Sequence, residues 1–448
     1  MNIFMHPECL EAPAPAPRLA ILADDLTGAN DAAVQFALRG LKTAAALPGT
    51  GFTSAAGFEV VVSDTESRDL APAEAALKVR EAAAQLLDLN AQMSFYKKLD
   101  STLRGNAGAE LNALAELLRP QFILLAPAFC ASGRTTIQGR QLLHGVPLEQ
   151  TELARVPKSP VTSSLIAEVI GRGCPLPCHL INLETIHLGV AHLRKQFARL
   201  SAAGCAVIIG DAATEADLTA LATAAAGFEK VLCAGSAGLA QALSELLPAR
   251  PVRKPQPGAH SVLVLAGSIS VVTRAQTREL LAAHPDAVLL RPTIAQAIAD
   301  PASEAQRVSS EVLKAAGAHP VVVVAAAYEE DDPAEAAAAA KAAGLDFFTA
   351  GERMAELMAG VFTQCAEFFD AYILTGGDTA MHALGGLDEA RPLLELQREV
   401  QPGVPLCRIS SGTFADKYLV TKAGAFGTET AFSEAVAALT AGAQDMPV

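Results

Sequence analysis

The sequence predicts an α/β protein built as two α/β domains with mainly parallel sheets. Three observations carry that expectation. Short apolar runs of strand length alternate with Ala/Leu-rich stretches of helical composition, a rhythm that fits parallel strands joined by crossover helices. The apolar runs end in small or polar residues, which is where open parallel sheets present their functional loops. The chain of 448 residues also exceeds the length at which one hydrophobic core stops growing, and a proline-dense stretch interrupts the rhythm.

Residues 1–17 are expected to form a flexible leader, because the alternating Ala and Pro of 12–17 can neither build a helix nor bury a core. Order is expected from Arg18. The first domain, 18–247, has strands expected in LAILADD, EVVVSD, SFYKKLD, QFILLAPA, CAVIIGD and KVLCAGS. The stretch LPARPVRKPQPGAHS holds four prolines and a glycine between two periodic regions, which predicts a linker over 248–260. The second domain, 261–448, restarts the rhythm with SVLVLAGS, PVVVVAAA and AYILTGGD, then closes with a glycine-rich turn and an alanine-rich helix. The alanines at 336–340 read as a strong helix former, and no fixed-period repeat is visible.

Composition narrows the function classes. Apolar residues make up 51% and charged residues only 18%, as in a well-buried globular protein. A formal charge of −14 opposes binding to nucleic acid or to an anionic membrane, and an anionic substrate then needs a local basic pocket. The first twenty residues lack the pattern of a signal peptide and no apolar run is long enough to cross a bilayer, so a cytoplasmic location is expected. Eight cysteines without framework spacing are expected to be reduced. Cys174 and Cys178, beside His179, bracket two prolines and lack a second ligand pair, which favours buried thiols over a metal site.

Polar residues just after apolar runs are the first candidates for chemistry. After LAIL come Asp24 and Asp25, with Thr27 and Gly28 expected in a turn and Asn30 or Asp31 expected to cap the next helix. Adjacent carboxylates repel, so a nearby cation or a shifted pKa is expected there. EVVVSD leads to Asp64, Ser67 and Arg68, and SFY leads to the densest polar cluster, KKLDSTLRGNAG. Lys97, Lys98 and Arg104 bring positive charge, Asp100 brings negative charge, and an Arg fork can grip a carboxylate in two-pronged fashion. Lys97 reads equally as a solvated charge, since alternate strand residues face opposite ways. Arg134, Thr135 and Gln138 follow QFILLAPAFCASG and read equally as a substrate rim or a structural loop.

The second domain places glycines and hydroxyls at its strand ends: Ser268 and Ser270 after LVLAG, Asp378 and Thr379 after YILTGG, and Lys422 and Gly424 in TKAGAFG. Glycine lets backbone N–H groups approach phosphate, and a helix N-terminus adds favourable partial charge. A carboxylate among them suits Mg²⁺. The chain contains no Gly-Lys pair and no G-x-G-x-x-G after the first strand, which argues against a P-loop and an ordinary dinucleotide fold.

Together ADDLTGAND, DTESR, KKLDSTLRGNAGAEL, TGGDT and TKAGAFG resemble the four-carbon acid sugar kinase family, from about Leu19 to the last helix. The resemblance implies an ATP-dependent kinase acting on the 4-hydroxyl of threonate, erythronate or a 3-oxo relative, with the sugar acid on the N-terminal domain, the nucleotide on the C-terminal one, and the active site in the interdomain cleft. It implies a sugar-acid site at Asp24, Asp25, Arg68, Lys98, Asp100 and Arg104, and an ATP site at Ser268, Gly376, Gly377, Asp378, Thr379 and Gly424. PAFC, ending at Cys130, stands where members often carry PAFP, which affects the shape of that loop.

The resulting expectation has Arg104 and Arg68 clamping the substrate carboxylate, Asp25 or Asp24 acting as catalytic base, and Asp378 as metal ligand for Mg²⁺ beside ATP. TKAGAFG favours D-threonate or D-erythronate as substrate, with 3-oxo-tetronate as the alternative. A non-catalytic regulatory module that binds sugar acid and nucleotide is the reading from another class, and an oxidoreductase lacks its glycine fingerprint. A homodimer is the default symmetric assembly.

Overall fold

The computed structural model describes residues 2–7, 16–46, 52–155, 159–251, 255–386, 392–422, 424 and 426–442. These divide into two compact units, one up to 251 and one from 255 onward. Each is an α/β unit with a mainly parallel sheet, as the alternating rhythm predicts.

In the first unit the strands are β1 (Leu19–Ala23), β2 (Thr43–Ala46), β3 (Val60–Asp64), β4 (Ser94–Lys98), β5 (Phe122–Ala126), β6 (Arg134–Ile137), β7 (Arg140–Leu143), β8 (Val146–Pro147), β9 (Cys178–Ile181), β10 (Val207–Gly210) and β11 (Val231–Gly235). Eight of them form one parallel sheet in the order β2-β3-β1-β4-β11-β5-β10-β9. Central strands such as β1 and β5 are buried along their whole length, which is why they read as continuous apolar runs. The chain leaves β1 toward β3 on one side and reaches β4 on the other. That reversal opens a crevice at the carboxyl ends of β3, β1 and β4. β6, β7 and β8 form a separate antiparallel sheet, so residues 134–147 are ordered structure, anchored by Gln138 and Gly139 N–H groups on Asp211 at 2.7 and 2.8 Å.

The leader differs from expectation at its start. Ile3 and Phe4 are buried, Phe4 lies against Phe36, and Asn2 Nδ2 donates to the Phe228 carbonyl at 2.7 Å. The apolar pair in MNIF supplies the burial that the Pro/Ala run cannot. Residues 8–15, most of that run, lie outside the described residues. The expected linker is pinned at both described ends. Arg250 Nη1 reaches both Glu59 oxygens at 2.8 Å, while Gly258 and Ala259 N–H groups donate to Ala441 and Leu439.

In the second unit β12 (Val262–Ala266), β13 (Val288–Leu290), β14 (Val321–Ala325), β15 (Ala371–Thr375), β16 (Leu393–Gln401), β17 (Val404–Ile409) and β18 (Tyr418–Lys422) lie in the order β13-β14-β12-β15-β18-β17-β16. The first five are parallel; β17 and β16 complete the sheet antiparallel. Val264, Val323, Ile373 and Val420 form its core with Phe432 and Leu439 of the last helix. The direction of winding reverses between β12 and β15, and this places the second crevice.

Candidate active site

β1 ends at Ala23, and the next two residues are carboxylates. Asp24 is buried, whereas the Asp25 side chain keeps 28% of its surface in solvent. Arg68, delivered from the end of neighbouring β3, supplies the counter-charge. Its Nε and Nη2 donate to the two oxygens of Asp24 at 2.8 and 3.0 Å, and Nη1 donates to Asp25 Oδ2 at 2.5 Å. The fork expected to clamp a substrate carboxylate is therefore engaged by the protein's own aspartates, because adjacent buried carboxylates demand the nearest guanidinium.

Asp25 also caps the helix Leu26–Ala37, its Oδ1 accepting from Gly28 N–H at 2.8 Å. That role was expected for Asn30 or Asp31, and the turn was expected at Thr27 and Gly28; all four lie inside the helix. A Cβ on Gly28 would sit 2.6 Å from Asp25 Oδ1 and 2.9 Å from Lys98 Nζ, so a larger residue would displace those two side chains. The two carboxyls are displaced from the ordinary carboxylate value in opposite directions. For Asp24 burial opposes ionisation, but the Arg68 guanidinium, with both lysines behind it, outweighs burial and holds the group below its ordinary value. For Asp25 burial wins over Arg68, the Asp24 charge adds to it, and the carboxyl is pushed up.

Lys97 and Lys98 leave β4 on opposite faces. Lys98 is buried beside the aspartates, and its Nζ donates to the Leu99 carbonyl at 2.9 Å. Lys97 points away and is neither a solvated charge nor a substrate contact. Its Nζ lies 3.0 Å from Glu110 Oε2, with both side chains buried, and Glu110 accepts a short hydrogen bond from Ser67, which meets Thr65 at 2.8 Å. This network fixes the loop that carries Arg68. Asn106 adds a latch that the sequence did not signal: its Nδ2 donates to the Ser67 and Leu70 carbonyls at 2.9 Å each. Asp100 accepts from Arg104 Nε at 2.6 Å; burial opposes its charge, but Arg68 and Arg104 hold the carboxyl well below its ordinary value.

All six residues of the expected sugar-acid site thus meet at the ends of β1, β3 and β4. Beside them lies a cavity of about 240 Å³ lined by Arg68, Arg104, Asn106, Ser163 and Arg172. Arg104 keeps 31% of its side chain exposed. Arg134 belongs to the small antiparallel sheet, Gln138 to the turn between its first two strands, and Cys130 starts a short turn that ends at Gly133, whose φ is 71°. Cys174 and Cys178 are free thiols, with Cys174 buried.

The second crevice gathers the other expected residues. Ser268, Gly376, Gly377, Asp378, Thr379 and Gly424 line one cavity of about 340 Å³. Gly376, with φ 99°, turns the chain from β15 into the helix Gly377–Gly385, so that helix opens on the cavity. Gly267 and Gly424 allow the loops to converge: a Cβ on either would fall 1.9 Å from Thr379 Oγ1 or 2.1 Å from Ser268 Oγ. The Gly424 carbonyl is held by Ser270 Oγ at 2.7 Å, Thr273 Oγ1 at 2.8 Å and Lys422 Nζ at 3.2 Å. Lys422 also donates to Thr375 Oγ1 at 3.0 Å, and burial pulls its ammonium down to about 8. Sequence reasoning passed over the cavity's other wall, where Ile298, Phe347, Ala350 and Met354 stand. Apolar helix residues there carry the same pattern as core.

A sheet end dense in charge in one unit and a glycine-lined cavity in the other form the arrangement expected of a small-molecule kinase. Residues 19–243 match a family model described as a sugar-binding N-terminal domain, and residues 263–432 match a nucleotide-binding C-terminal domain. The chain is 32% identical to a D-threonate kinase of Salmonella typhimurium over 94% of this chain and 97% of that one. It is 32% identical to a D-erythronate kinase of Heliobacterium modesticaldum, covering 92% and 95%, and 35% identical to a D-threonate kinase of Cupriavidus necator, covering 94% and 97%. A solved Haemophilus influenzae protein shares the fold with a TM-score of 0.74 at 24% identity, covering 94% of this chain and 100% of that one. The chain belongs to the four-carbon acid sugar kinase family and is an ATP-dependent kinase. Among the described residues no helix is long and apolar enough to cross a membrane.

Proposed function

We propose that this chain transfers the γ-phosphoryl group of ATP to the 4-hydroxyl of D-threonate or D-erythronate, giving the 4-phosphate and ADP. The observation that carries this reading is the opposed pair at the end of β1. Asp24 is locked ionised by two prongs of Arg68, while Asp25 is more exposed and has its carboxyl pushed up. Of the two, Asp25 has the more exposed carboxyl and the one whose proton affinity is raised, which favours it as the base and Asp24 as its electrostatic partner. As the substrate oxygen bonds to the γ-phosphorus, the bond from that phosphorus to the ADP oxygen breaks and the hydroxyl proton passes to Asp25. Arg68 then orients both carboxylates, and Arg104, at the rim of the 240 Å³ cavity, binds the substrate carboxylate.

In the second unit the Gly377 N–H, at the start of its helix, and the Gly424 loop cradle the phosphates, while the Gly376 N–H is taken by the Lys422 carbonyl at 3.1 Å. Mg²⁺, when bound, would supply positive charge that offsets the phosphate charge. Asp378 is exposed in the first turn of the helix at that cavity, and Mg²⁺ bound with a nucleotide needs only one or two carboxylates, so this residue would hold it.

A coupled ADP-release assay with D-threonate, D-erythronate and 3-oxo-tetronate tests the reading. Turnover on one of the first two supports it; turnover on the 3-oxo acid alone overturns the substrate assignment. Arg104→Ala is expected to raise the sugar-acid KM by about tenfold or more with kcat little changed, and an unaltered KM would remove it from the site. Lys422 sets a pH dependence. Its Nζ braces the Gly424 carbonyl at 3.2 Å and burial brings its pKa down to about 8, so loosening of the Gly424 loop is expected to raise the KM for ATP as pH rises through that value. In Lys422→Met the KM should be raised at every pH and follow no such step.

A further inference from the structure

The 340 Å³ cavity has two chemically distinct walls. One carries the glycine turns and Asp378. The other is built from Ile298, Ala336, Phe347, Ala350, Met354 and Ala355, aliphatic side chains plus one phenyl. Phe347 is the first residue of the helix Phe347–Cys365 and leaves 54% of its surface in solvent although it lines the cavity. An exposed phenyl at the mouth of an apolar recess offers a flat face on which a bound ring can stack. The neighbouring phosphate-type wall says what that is: the base of the nucleotide whose phosphates lie at the glycine turns.

Resting on the nucleotide-site reading given above, we infer that Phe347 is the base-stacking residue and that the base wall accepts purine nucleoside triphosphates with little discrimination. Stacking is indifferent to the identity of the base, because every base has a π-face. Discrimination by many powers of ten arises where side chains hydrogen-bond a ligand's edge, so that a wrong ligand leaves buried polar groups unpaired. The aliphatic side chains of this wall offer no such penalty, and apolar surface separates related ligands by about 100-fold at most. GTP and ITP are therefore donors as well as ATP, and pyrimidine triphosphates, with smaller faces, are weaker ones.

The test is titration calorimetry of the full chain with the Mg²⁺ complexes of ATP, GTP, ITP and CTP, alongside kcat/KM for each with the best sugar acid. The expected result is a spread of less than about 100-fold among the purines. Phe347→Ala should weaken ATP and GTP alike by about fivefold or more, and Phe347→Tyr should restore both. Phe347 is half exposed, so neither change threatens the fold. GTP binding weaker than ATP by more than a thousandfold would overturn base tolerance while leaving the kinase reading intact. Equal affinities in wild type and Phe347→Ala would overturn the stacking role. Tight, similar binding of ATP and GTP with no sugar acid phosphorylated would overturn the proposed substrate and uphold the base wall.

Discussion

Asp25→Asn is expected to lower kcat by about two decades or more, the scale of lost general-base catalysis, while the affinity for ATP stays near wild type. Asparagine suits the helix cap as well as aspartate does, so the contact to Gly28 N–H survives and the loss is chemical rather than structural. The carboxylate is what disappears. Steady-state kinetics with a parallel thermal scan checks this, and a variant with full turnover would transfer the base role elsewhere. Asp24→Asn provides the contrast, because it removes the anion that receives two of the three Arg68 hydrogen bonds.

Lys97→Met is expected to produce the largest change in stability. Lys97 and Glu110 are both buried and 3.0 Å apart, so removing the ammonium strands a buried carboxylate. Breaking such a pair costs about 3–5 kcal/mol, which for a unit of this size lowers Tm by roughly 6–20 °C. The double variant Lys97→Met/Glu110→Leu should recover most of that, since an apolar pair of similar volume replaces a buried ion pair at little cost. Calorimetry on the three proteins decides; no drop in the single variant would mean that Glu110 is satisfied without its partner.

Much of the candidate site's clustering is legible in the sequence because parallel sheets put loops where strands stop. Asp24, Arg68 and Lys98 are far apart in the chain, yet each follows an apolar run, and β3, β1 and β4 proved to be neighbours. The same grammar gathered Ser268, Gly376 and Gly424. Pairing across strands was not legible. Nothing in DTESR says that Arg68 will face two aspartates and not a substrate, and nothing in YKKLD says which lysine turns inward to Glu110. Those outcomes depend on registers such as Ala23 with Asp64, fixed only when the sheet forms. Asp25 shows a second limit: Asp, Asn and a further Asp within seven residues are all good caps, and burial chose the first. The base wall stayed hidden because Ile298 and Met354 look like any core residue until a cavity is found beside them.

The strand order of the first unit bears on how it can be made. β4 and β5 never touch, because β11, synthesised long after both, pairs with each of them from the space between. A nascent chain, or a fragment cut before Val231, keeps two bare strand edges flanking a gap in its hydrophobic centre. Such edges recruit other copies. Truncation within this unit is thus a route to aggregates and not to a smaller working lobe.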